Sequence, residues 1–267
     1  MEISTVSTLS IAGMIVSLMI SIVLPVCLCI YGCKKMKARL SSFFIGCGIF
    51  VVFALILEQI LHGIVLTIAG TKITDNILLY ALYGGLAAAL FEETGRFVAM
   101  KFFMKNQLDK KNAWMYGVGH GGIEAILLIG ITYISNIATA LMINSNQLDT
   151  ILGTLDESQK TATIEALSAL WTTPGYHFFL GGMERIFAIT IQISLSILVY
   201  YGVKNSKKVF IALAMLLHFL VDFVTVILSK TIPVWGIELV ICLMAVIIGV
   251  IAFKIYNMKK TEEIQNA

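Results

Sequence analysis

Residues 233–257 read PVWGIELVICLMAVIIGVIAFKIYN, an apolar run interrupted only by Glu238 and Lys254. A helix needs roughly 20 apolar residues to cross the hydrocarbon core of a bilayer, and this run is long enough to do so with some tilt. Comparable runs occur at 7–32, 41–69, 75–104, 112–141, 174–203 and 207–229. The composition agrees. With 58% hydrophobic and 13% charged residues, the chain has too little polar surface to coat a particle in water. The expected fold is all-α, a polytopic membrane helix bundle of about seven transmembrane helices, with eight as the alternative. It forms a single integral membrane domain over 1–267, multi-pass in the cell membrane. No sizeable soluble part remains, so any chemistry falls to the helices themselves.

The basic residues orient the chain. With the N-terminus outside and the C-terminus in the cytoplasm, the cytoplasmic ends hold Lys34, Lys35, Lys37 and Arg39, then Lys101, Lys105, Lys110 and Lys111. Lys204, Lys207 and Lys208, and finally Lys254, Lys259 and Lys260, follow on the same side. Only Lys72, Lys160 and Lys230 fall outside, which is the asymmetry that the positive-inside rule describes. The net charge of +3 is spread over these short groups rather than gathered in a stripe, so a nucleic-acid partner is not expected. The five cysteines lie mostly within apolar stretches and read as packing residues rather than a disulfide framework. The first ten residues lack the basic start of a signal peptide, so the first apolar run is expected to stay as a span. The one long connection, about 142–173, is expected outside, where Thr154-Leu-Asp-Glu157 resembles a capping box. Ile164, Leu167 and Trp171 would then form the apolar stripe of an interfacial helix, the alternative being a loop.

Ionisable residues inside the spans carry the functional signal. A charge at the bilayer centre costs about 2.5–3.5 kcal/mol on the insertion scale, so such groups usually face a bundle interior and have a function. All four histidines, His62, His120, His177 and His218, fall in predicted spans. So do Glu58, Glu92, Glu93, Arg96, Glu124, Glu184, Arg185 and Asp222. Four pairs have the four-residue spacing that shares a helix face: Glu58/His62, Glu92/Arg96, His120/Glu124 and His218/Asp222. Each pair could simply neutralise itself. Depth argues for more: counted from the cytoplasmic ends, Glu92, Glu93, Glu124, His218 and Asp222 lie about 11–15 residues in, at ~1.5 Å per residue one layer near mid-membrane. Carboxylates and imidazoles at one level suit a divalent cation such as zinc, which in catalytic sites keeps a position open for water. Proton relays and ion pathways use the same residue types, so a transporter is an alternative. Glycines beside the layer, Gly84, Gly85, Gly117, Gly119, Gly121 and Gly122, read as packing devices that let helices approach closely. Glu184 and Arg185, with His177 seven residues before Glu184, are secondary candidates that also read as a structural salt bridge.

Three motifs, Glu92-Glu93-Thr-Gly-Arg96, Gly119-His120-Gly-Gly-Ile-Glu124 and His218-Phe-Leu-Val-Asp222, resemble the YhfC-type branch of the CAAX-protease and PrsW superfamily of intramembrane metalloproteases. The resemblance implies that Glu92 and Glu93 divide two tasks, one activating water or binding metal and the other supporting it. Arg96 would orient or neutralise them. It further implies that Glu124 and His120 supply the second motif, His218 a metal ligand, and Asp222 a group that stabilises the oxyanion or holds the histidine. Related patterns often carry another histidine where this chain has Gln192. The implied activity is metal-dependent hydrolysis of a peptide bond in or near the membrane, with zinc as the expected metal and a peptide or membrane protein as substrate. A proton- or cation-coupled transporter and a non-catalytic immunity or regulatory protein are the alternatives.

Overall fold

The structure is a computed structural model and describes residues 3–265. Seven helices are long and apolar enough to cross a membrane: α1 (Thr8–Lys34), α2 (Leu40–Ala69), α3 (Ile77–Phe103), α4 (Lys110–Asn144), α8 (Tyr176–Lys204), α9 (Lys208–Leu228) and α10 (Val234–Asn257). No strand occurs among the described residues. Between α4 and α8 the chain forms three short helices, α5 (Gln147–Leu152), α6 (Glu157–Leu167) and α7 (Ala169–Thr172). The spans expected from hydropathy therefore stand, with edges moved by a few residues. Large side chains such as Ile68 (82% exposed) and Phe253 (69%) stay outside the protein core, as a chain solvated by lipid allows.

The chain divides into two compact units, Met1–Leu24 with Ala125–Ile186, and Pro25–Glu124 with Phe187–Ala267. The first is built on a cluster that includes Val6, Met14, Tyr133, Ile143, Leu152 and Phe178. Asn144 brackets Val6, its Oδ1 accepting from the Val6 N–H at 2.8 Å and its Nδ2 donating to the Val6 carbonyl at 2.9 Å. Ile164, Leu167 and Trp171 pack against this same cluster, so the stripe read from the sequence is used for protein contact. The capping box sits two residues later than expected. Asp156 is the N-cap, accepting from Gln159 N at 2.8 Å, while the Gln159 side chain accepts from Asp156 N at 3.4 Å. Aspartate caps at least as well as threonine, and this register puts Glu157 in the first turn, where the helix dipole favours an acid.

The second unit holds a larger core, including Ile49, Met100, Tyr116, Leu195, Leu198, Ala214, Ile241 and Ile248. Its helices meet through small residues. A Cβ on Gly119 would strike the backbone carbonyl of Phe43 on α2, and one on Gly117 would come within 2.6 Å of Ile193 Cα on α8. The glycines around His120 are thus the contact surface that brings α2 and α8 onto α4. Gly85 does the same for α3 and α9, where Phe219 and Phe223 pass 3.2–3.3 Å from its missing side chain. Gly84 does not: nothing lies within 4 Å of its position, because its face of α3 points away from both neighbours. Wider π-helical segments interrupt three spans, at Val51–Glu58, Ala99–Phe103 and Ile126–Gly130. Each ends at, or begins within three residues of, an ionisable group: Glu58, Arg96 and Glu124. Such segments recur at functional sites.

Candidate metal centre

Glu92 and Glu93 are consecutive on α3 and so point about 100° apart. The two carboxylates therefore meet different helices. Glu92 faces α4 and α8: its Oε2 lies 2.8 Å from His120 Nε2 and accepts from Gln192 Nε2 at 3.1 Å. Glu93 faces α9, with its Oε1 2.9 Å from His218 Nδ1. Its other oxygen, Oε2, is 3.0 Å from Arg96 Nε, and both Glu93 and Arg96 are fully enclosed. Glu92 is thus central to the cluster, and Glu93 stands behind it as a link between a guanidinium and an imidazole.

Local pairing explains little of this. Of the four pairs at four-residue spacing, only Glu58/His62 closes within hydrogen-bond distance, at 3.2 Å, and His62 Nδ1 continues to the Tyr83 hydroxyl at 2.7 Å. Arg96 pairs with Glu93 and with Gln192 rather than with Glu92. His120 reaches across to Glu92 instead of along α4 to Glu124. His218 Nε2 and Asp222 Oδ2 stand 3.6 Å apart, too far for a hydrogen bond, and the Asp222 side chain keeps 34% of its exposure. The reason is burial. In an enclosed site every polar group needs a partner, and the helices are close enough for cross-helix partners to compete with those on the same helix.

The donor set fits a divalent cation. Glu92, His120 and Glu124 each offer a ligand atom, and the three atoms lie within 4.8 Å of one another. A tetrahedral site with bonds of about 2.0–2.2 Å separates its donors by roughly 3.4 Å, a small closure from this arrangement. His218 Nε2 lies on the same side, 3.9 Å from Glu92 Oε2. Charge points the same way. Fully ionised, Glu92, Glu93, Glu124 and Asp222 would face Arg96 as the cation of the cluster, a surplus of negative charge that a divalent ion would offset. The His120 ring is held in place by Phe50 and Tyr116, at 5.2 and 5.9 Å between centroids.

The remaining sequence candidates lie in the first unit. Glu184 and Arg185 form an ion pair with each other, and His177 packs its ring against Tyr176 at 4.4 Å. None of the three belongs to the donor group. Two residues not singled out as site members are part of it. Gln192 donates to Glu124 Oε2 at 2.9 Å as well as to Glu92, and Ser196 accepts from Arg96 NH1 at 2.6 Å. Their signal was a Gln and a Ser four apart on one face of a span otherwise rich in apolar residues.

A family model described as YhfC intramembrane metalloprotease matches residues 20–255. The chain is also 39% identical over 230 residues to a Bacillus subtilis (strain 168) protein named Uncharacterized membrane protein YhfC, covering 85% of this chain and 88% of that one. No solved structure matches.

Proposed function

The chain belongs to the YhfC intramembrane metalloprotease family, and from that premise we propose that it is a zinc-dependent endopeptidase that hydrolyses a peptide bond in or near the membrane. The family implies a divalent metal, and Glu92, His120 and Glu124 would hold it, with His218 Nε2 turned toward the same point. The observation that carries the reading is the convergence of these three ligand atoms inside a membrane-spanning unit. When bound, the metal supplies Lewis acidity and brings the pKa of a coordinated water to about 7.

The protein's own groups account for the rest. Glu92 can bind through one carboxylate oxygen and use the other to take the proton of the attacking water, later returning it to the leaving amine. Glu93 holds the His218 ring by its Nδ1, which fixes the tautomer and aims Nε2 inward. Arg96 neutralises Glu93 and keeps that carboxylate from turning away. Asp222, the most exposed acid of the group, lies where a peptide would enter and holds the far side of His218. The lysine asymmetry places the N-terminus outside, with this layer slightly toward the cytoplasm.

Elemental analysis of detergent-purified wild type beside E92A and H218A tests the proposal. Stoichiometric zinc in the wild type, lost in both variants together with hydrolysis of a membrane-peptide library, is the expected result. A folded wild type that stays metal-free in added zinc would sink the idea.

A further inference from the structure

The Gln192 amide is oriented from both ends. A guanidinium has donors only, so Arg96 NH2, 2.5 Å away, requires the amide oxygen on its side. Ionised carboxylates accept only, so Glu92 and Glu124, at 3.1 and 2.9 Å, require the nitrogen on theirs. Both demands are met by one rotamer, and flipping the amide would break all three bonds. The backbone holds the same arrangement, since the Gln192 carbonyl accepts from Arg96 NH1 at 2.8 Å. Space is tight around the stem: a Cβ added to Gly121 would lie 3.0 Å from Gln192 Cβ and 3.3 Å from its Cγ.

Resting on the metal-site reading above, we infer that Gln192 is a positioning residue, not a ligand. Its oxygen, the only atom of the amide able to bind a cation, is occupied by Arg96. Its NH2 group draws Glu92 Oε2 and Glu124 Oε2 toward one point and holds two ligand carboxylates in register before metal arrives. Arg96 consequently organises both halves of the site, setting Glu93 and His218 directly and Glu92 and Glu124 through Gln192. Because the amide adds no ligand, a coordination position is left for water.

Cobalt(II) titrations of wild type, Q192L and Q192N test this, read by the visible d–d spectrum and by chelator competition. Q192L is expected to bind cobalt about 10–100-fold more weakly, the usual effect of losing a group that orients ligands, with band positions unchanged. Q192N retains the amide one methylene short, unable to span Arg96 and the carboxylates together, and is expected to show a comparable loss even if Q192L does not fold. Unchanged affinity in either folded variant overturns the inference. So do shifted bands in either one, which would make Gln192 a ligand. A folded wild type that takes up no cobalt overturns the inference and the metal-site reading together, whereas tight wild-type binding with wild-type affinity in the variants overturns the inference alone.

Discussion

His218 Nδ1 lies 2.9 Å from Glu93 Oε1, and the same carboxylate meets Arg96 Nε through its other oxygen at 3.0 Å. An imidazole bound this way through one nitrogen has its other nitrogen aimed and its tautomer chosen. Glu93→Gln keeps the shape but presents an NH2 to one of these partners. It is expected to weaken zinc binding by about 10–100-fold with the fold intact, as measured by chelator competition.

Arg96→Met leaves Glu93 enclosed without its cation. Breaking a buried pair from one side costs about 3–5 kcal/mol, so a marked fall in the thermal midpoint in detergent is expected. The double variant E93Q/R96M removes the stranded charge and should recover part of the loss. If the double variant melts lower than R96M, the pair is not the source of the effect.

His120→Phe separates packing from ligation. The ring still fits between Phe50 and Tyr116, and His120 Nδ1 makes no hydrogen bond among the described residues that would be lost. The expected protein is folded but has lost its metal, which equilibrium dialysis with zinc would register.

The two glycine classes should behave oppositely. Gly119→Ala drives a methyl into the Phe43 carbonyl and is expected to cost about 1–3 kcal/mol. Gly84→Ala meets open space in mid-helix and should be neutral or stabilising by up to about 1 kcal/mol. Parallel thermal melts of the two variants measure both.

Much of the protein was legible without coordinates because lipid imposes few and strong rules. A backbone without water must close its own hydrogen bonds, so long apolar runs could only be helices, and their number and bounds followed. The same rule made every buried charge conspicuous. Glu92, Glu93, Arg96, His120, Glu124, His218 and Asp222 could be picked out by type and depth alone. What their spacing could not supply was the choice of partner. Four-residue spacing proposed Glu92/Arg96 and His120/Glu124, and the protein chose Glu93/Arg96 and Glu92/His120 instead.

That choice is tertiary. It depends on how closely α3, α4, α8 and α9 approach, which Gly117, Gly119, Gly121 and Gly85 set to within a few tenths of an ångström. Gln192 shows the difference best. In sequence it stands where a related pattern has a ligand, and its polar group could have faced any neighbour. Only in the folded unit do Arg96 on one side and two carboxylates on the other leave it a single orientation. The chain's apolar pattern determined that helices cross the membrane and that their buried charges share a layer. The distances between those helices decided which charge answers which, because a hydrogen bond is made or lost over less than an ångström.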